Sequence, residues 1–194
     1  WIPRRAGERG ALEAGAFPTL LPGGRPVADS AARVDIAAAW GVNSLPAEPG
    51  RTTHQIIEAL SSGELDAVVV GGVDALDLRH SAKAVDALKK SFVISLEIAP
   101  SSVTEVADVV LPVAAVTEKS GSFLNWEGRT RAFDAAVSDS LNRSDLRILS
   151  ALADAMGESI MLGTVTAAAR EISQLGKWDG ARAPFTAVAA GSAA

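Results

Sequence analysis

The sequence predicts an α/β fold: a parallel sheet of three or more strands flanked by helices, followed by a C-terminal helical linker. Three observations carry this expectation. Asp66-Ala67-Val68-Val69-Val70-Gly71-Gly72 is a β-branched run closed by two glycines, the pattern of a parallel strand buried on both faces. Strand-like and helix-like segments alternate from there to Val113, the rhythm of consecutive βα units. Hydrophobic residues make up 48% of the chain while aromatics are only 5% and Tyr is absent. That balance favours alanine-rich helices packed on a sheet of small residues over a β-sandwich.

Each element has a local reason. Residues 1–30 mix Arg4, Arg5, Arg9 and Arg25 with five glycines and read as loop, with a short helix near Ala11–Ala14. Val34–Trp40 reads as a short helix stopped by Gly41. The two prolines between Asn43 and Gly50 make a connection. Thr52 and Gln55 have the spacing of a capping box, in which each side chain satisfies the other's exposed N–H. The helix they open carries Ile56, Ile57 and Leu60 on one side and ends at Gly63. After the Val68–Val70 strand, Asp77–Lys90 is predicted helical with Ala84, Val85 and Leu88 inward. Phe92–Leu96 is a second strand, Thr104–Ala107 a short helical turn, and Val109–Val113 a third strand. The block 118–131 reads as a hairpin-like loop at the mouth of a cleft, with a short strand near Arg131–Phe133. Ser144 is the expected N-cap of a helix running to Met156, and a second helix is expected over Met161–Leu175. The Ala-, Gly- and Ser-rich tail after Trp178 is expected to be poorly ordered. These readings divide the chain into an opening segment at 1–50, a sheet domain with its loop at 51–135, a helical linker at 136–178 and a tail at 179–194.

Composition excludes several kinds of chemistry. The net charge is −5 without a basic block, which argues against a nucleic-acid partner. There is no cysteine, so no thiolate zinc site, disulfide framework or cysteine-held iron–sulfur cluster forms on these residues. His54 and His80 are the only histidines, too few for a multi-histidine metal site. No apolar run approaches the roughly 20 residues that span a bilayer, so no direct membrane insertion is expected. The chain opens on Trp1, shows no signal peptide, and is expected to be an internal fragment of a longer protein.

Two places merit attention as sites. Gly71-Gly72-Val73-Asp74 follows a buried strand, and glycines there let a backbone approach a ligand at the carboxyl edge of the sheet. The sequence has no GxGxxG and no Walker A lysine. The favoured reading is a tight strand-exit turn in which Asp74 caps the next element. The second place is Gly121–Arg129. Asn125 offers donors and an acceptor, and Glu127 and Arg129 can pair across Gly128 or grip a polar ligand. In the other reading they brace the loop, while Phe123, Leu124 and Trp126 anchor it to a neighbouring domain. No GxSxG, HExxH or CxxC stands behind a hydrolytic mechanism. No catalytic or metal-binding residue is assigned.

Four landmarks stand together in order: Arg9-Gly10-Ala11-Leu12-Glu13-Ala14-Gly15, Val68 to Asp74, Thr104-Glu105-Val106-Ala107-Asp108-Val109-Val110-Leu111-Pro112, and Glu118 to Arg131. Over about residues 1–178 the chain resembles the molybdopterin oxidoreductase-like domain, in the form carried by the large iron–sulfur subunit of NADH:quinone oxidoreductases, respiratory complex I. The resemblance implies a structural part of the peripheral arm, on the cytoplasmic face of a bacterial membrane, in contact with other subunits of that arm. It also implies electron flow from NADH to quinone through iron–sulfur clusters held in an N-terminal part not in this sequence. The segment itself would hold no cofactor. Members that hold a pterin often have Asn-Pro where this chain has Val73-Asp74, which makes Gly71, Gly72, Asp74, Gly121, Asn125, Glu127 and Arg129 a vestigial cleft. The alternative is a molybdenum or tungsten bis-pterin oxidoreductase domain in which those residues line the cofactor.

Overall fold

Helix caps and strand registers set the architecture seen in the computed structural model, which describes residues 7–137 and 139–182. Arg4, Arg5 and most of the tail lie outside the described residues. The described residues fall into two compact units, one of 7–50 with 126–128 and 171–182, the other of 51–125 with 129–170.

The first unit holds α1 (Glu8–Glu13), the two-residue antiparallel ribbon of β1 (Leu20–Leu21) and β2 (Arg25–Pro26), and α2 (Ser30–Trp40). Helix α2 starts four residues before the expected Val34. The Asp29 carboxylate accepts the Ala32 N–H at 3.0 Å, satisfying one of the first-turn donors. Gly41 ends it in the left-handed conformation at φ 66°. Ala32 and Ile36 are fully buried.

Arg25, read from sequence as one of several loop arginines, is buried. Its Nη2 donates to the Leu175 carbonyl at 2.9 Å, and its Nη1 donates to Gly176 and Pro22 carbonyls at 3.1 Å. The guanidinium lies 5.6 Å from the Trp178 ring centroid. Arg25 thus satisfies the open carbonyls at the end of a helix whose partial charge is negative.

The second unit holds α3 (Thr53–Ser62), β3 (Ala67–Gly71), α4 (Ser81–Leu88), β4 (Phe92–Glu97) and β5 (Val109–Pro112). The three strands form one parallel sheet in the order β3-β4-β5. The Thr52–Gln55 capping box forms as expected, and Gly63 closes α3 at φ 76°. Helices α3 and α4 pack on one face of the sheet. Their core joins Leu60, Ala84, Ala87 and Leu88 to Val93 and to Val103 from the β4–β5 connection.

Three expectations are corrected here. Helix α4 begins at Ser81, because residues 75–77 form a separate 3-10 turn capped by Asp74. The Thr104–Ala107 segment is a chain of hydrogen-bonded turns rather than a helix. Strand β3 is not buried on both faces: its residues alternate between exposed and half-buried, and Val69 is 49% exposed.

The chain continues through the antiparallel hairpin of β6 (Gly121–Leu124) and β7 (Thr130–Phe133) to α5 (Asp145–Ala155) and α6 (Val165–Leu175). Ser144 caps α5 through the Arg147 N–H, at the predicted position. Helix α6 starts at Val165 rather than near Met161, whose φ of 52° is incompatible with a helix.

Candidate functional site

The first candidate is the turn that leaves β3. Gly72 takes φ 64° and donates its N–H to the Leu96 carbonyl at 3.2 Å. A Cβ at Gly72 would meet nothing within 4 Å, so the glycine serves the backbone angle rather than a close approach of protein atoms. Three of the donors that follow it are engaged within the protein. The Val73 N–H donates to Glu97 Oε1 at 3.0 Å, the Ala75 N–H to Ser102 Oγ at 3.0 Å, and the Leu76 N–H to Asp74 Oδ1 at 3.0 Å. The Ser102 hydroxyl donates to the Asp74 carboxylate. That hydroxyl, and after it the Leu76 N–H, hold the Asp74 carboxyl below its usual range.

A pterin cofactor of this fold family carries phosphate. A phosphate is favoured by free N–H groups and disfavoured by carboxylates close to it. The turn presents the opposite: occupied N–H groups and two carboxylates, Asp74 and Glu97. At this turn the N–H groups of Val73, Ala75 and Leu76 are engaged within the protein, which is no cradle for a phosphate.

The second candidate is the β6–β7 hairpin. Asn125 and Arg129 close its end twice over: the Asn125 N–H donates to the Arg129 carbonyl at 3.0 Å, and Asn125 Oδ1 accepts the Arg129 N–H at 2.8 Å. Gly128 supplies the required φ of 78°. A Cβ at Gly121 would sit 2.8 Å from the Phe133 ring, which lies across the glycine and stacks on Phe123 with centroids 5.0 Å apart. Any side chain at position 121 displaces that ring. Glu127 stands at the tip, and the neighbouring Trp126 is 87% exposed.

Glu118 anchors the base of the hairpin, and its role is not evident from the sequence. Its carboxylate accepts the Ala115 N–H at 2.7 Å, the Ser140 hydroxyl at 2.8 Å and the Asn142 side-chain amide at 3.3 Å. These donors, the Ala115 N–H first, hold its carboxyl below the usual range. Two of the partners lie 22 and 24 residues away; only the i−3 reach to Ala115 is locally encoded. Lys119 pairs with Asp145 in the first turn of α5.

The predicted site residues therefore fall into two groups. Gly71, Gly72 and Asp74 share the strand-exit turn. Gly121, Asn125 and Arg129 share the hairpin, with Glu127 at its tip. His54 and His80 are exposed, with ring centroids 6.4 Å apart. Arg9 pairs with Glu13 at 3.0 Å within α1. Among the described residues no three His, Asp or Glu converge as a metal site, and no helix is long and apolar enough to cross a membrane.

Comparison with known proteins agrees with this fold. The family model for molybdopterin oxidoreductases matches residues 2–155. The chain is 54% identical over 189 residues to the NADH-quinone oxidoreductase G subunit of Streptomyces coelicolor, covering 94% of this chain and 22% of the relative. It is 50% identical over 194 residues to the protein of the same name from Mycobacterium tuberculosis, covering 98% of this chain and 24% of the relative. Formate dehydrogenase H of Escherichia coli is 33% identical over 155 residues, or 77% of this chain and 21% of that enzyme. The chain thus spans less than a quarter of the length of these relatives. It belongs to the molybdopterin oxidoreductase family.

Proposed function

We propose that this chain is a structural segment of the large peripheral-arm subunit of an NADH-quinone oxidoreductase, and that it carries no redox centre of its own. The complete subunit passes electrons from NADH through iron–sulfur clusters, bound in its N-terminal part, towards quinone. The assembly works as a translocase on the cytoplasmic side of a bacterial membrane, with this segment peripheral to the bilayer. Its partners are the other subunits of the arm.

The self-satisfied turn at 71–77 carries the proposal. The N–H groups of Val73, Ala75 and Leu76 are engaged by Glu97, Ser102 and Asp74, which supports reading this turn as structure. The hairpin supports the same reading, because Asn125 commits its backbone N–H and its side-chain oxygen to closing the loop. The absence of cysteine from the sequence leaves no thiolate for a cluster here. The runner-up, a molybdenum or tungsten bis-pterin oxidoreductase, would need the turn rebuilt with its N–H groups released.

Asn125→Ala in the intact complex tests the proposal. Loss of the loop-closing bond is expected to lower the amount of assembled complex while NADH-to-quinone turnover per assembled complex stays unchanged. Normal assembly with abolished turnover would contradict it.

A further inference from the structure

Helices α3 and α4 begin side by side, and their first turns border a cavity of about 220 Å³ within the second unit. Its inner side is apolar: Ile57 and Leu78 are half-buried and Ala84 is buried. Its rim is basic, with His54 from α3 and with Arg79, His80 and Lys83 from the approach to α4 and its first turn. The two imidazole centroids lie 6.4 Å apart. No carboxylate lines the cavity among the described residues. Glu58, one turn along α3 from His54, pairs with Lys83, and its Oε1 lies 3.8 Å from His54 Nε2. Its carboxyl is held below the ordinary value, by Lys83 first and then by His54 and His80. The cluster thus already stabilises one carboxylate at its edge. One such acceptor stands against four basic side chains, which leaves the rim with an excess of donors.

We infer that this cavity is a binding site for a short aliphatic carboxylate, with its methylene groups on Ile57, Leu78 and Ala84 and its carboxylate on the basic rim. Charge selects the acid. The Arg79 guanidinium and Lys83 ammonium are cations at neutral pH, and each imidazole offers an N–H in either protonation state. The first turns of the two helices add partial positive charge on the same side. Size selects the short chain. Small-molecule sites measure roughly 300–1,000 Å³, so a cavity of about 220 Å³ takes a group of a few carbons rather than a cofactor. The apolar side favours an acid with an alkyl stem over an inorganic anion, which has no apolar surface to bury there. The source is a glutamate side chain or a free acid of the same form. The cavity shares no residue with the strand-exit turn at 71–77 or with the β6–β7 hairpin, and the inference does not rest on the structural role proposed above.

Histidine labelling tests it, in the complete polypeptide purified alone and in its native complex. Diethyl pyrocarbonate modifies accessible imidazoles, and peptide mass spectrometry reads His54 and His80 separately. In the polypeptide alone, butyrate is expected to slow modification of both rings several-fold and saturably, while butanol at the same concentration leaves it unchanged. Arg79→Gln keeps the Glu58–Lys83 pair and is expected to abolish the protection by butyrate. The complex then distinguishes the two sources. Rings protected before butyrate is added, and exposed by Arg79→Gln, identify a protein carboxylate; rings protected only after its addition identify a free acid. No protection of the polypeptide by butyrate, equal protection by butanol, or protection that survives Arg79→Gln would overturn the inference.

Discussion

Ser95 lies at the centre of β4, fully buried, and its hydroxyl has no hydrogen-bond partner among the described residues. A buried unpaired hydroxyl costs about 1–3 kcal/mol, whereas removing it leaves only a small change in packing. Ser95→Ala is therefore expected to leave thermal stability unchanged or raise it, as read by the unfolding midpoint. A clear fall in that midpoint would mean that the hydroxyl has a partner. Arg25 makes the opposite point at the same scale. Its importance was invisible in the sequence because the carbonyls it satisfies, Leu175 and Gly176, lie about 150 residues away. Asp74 was legible because its acceptor role is local: it caps the Leu76 N–H two residues on. Asn125 could be singled out from sequence, but whether it grips a ligand or closes a loop depends on where Arg129 comes to rest.

At the scale of elements, the best-read features were those with complete local signals. Thr52, Gln55 and Gly63 fixed both ends of α3, and Ser144 fixed the start of α5. The misread boundaries have physical causes of the same range: an Asp29 cap that lengthened α2, and a 3-10 turn that delayed α4. The hairpin was legible as a loop, but its base was not, because Glu118 gathers donors from beyond the hairpin. That base predicts a pH response. The Glu118 carboxyl is held below its ordinary 4.5 in the folded protein. A depressed folded pKa contributes stability that is present above the unfolded value and lost as pH falls through the folded one. Acidification below about 4.5 is expected to loosen the hairpin, and Glu118→Gln is expected to remove that part of the pH dependence. Amide hydrogen exchange across 115–137 reads both effects. An unchanged acid profile in the variant would show that Glu118 does not hold the base.

For the molecule as a whole, the sequence made the parallel sheet accessible through alternation of βα segments, and the ordered landmarks pointed to the family. What the chain could not reveal was the state of the sheet's second face. Val68, Val69 and Val70 are chemically alike, and only the register with β4 separates the two that meet α3 and α4 from the one that does not. Nor could glycines after a strand reveal whether the turn they open is a cradle or a closed structural knot. The occupied donors of Val73, Ala75 and Leu76 point to the closed turn, and the proposed role as scaffold rests on it. Elemental analysis of the complete protein, purified in its native complex, addresses that role. Iron without molybdenum or tungsten is the predicted result. Molybdenum or tungsten in stoichiometric amount would contradict it and would make the turn and hairpin cofactor contacts.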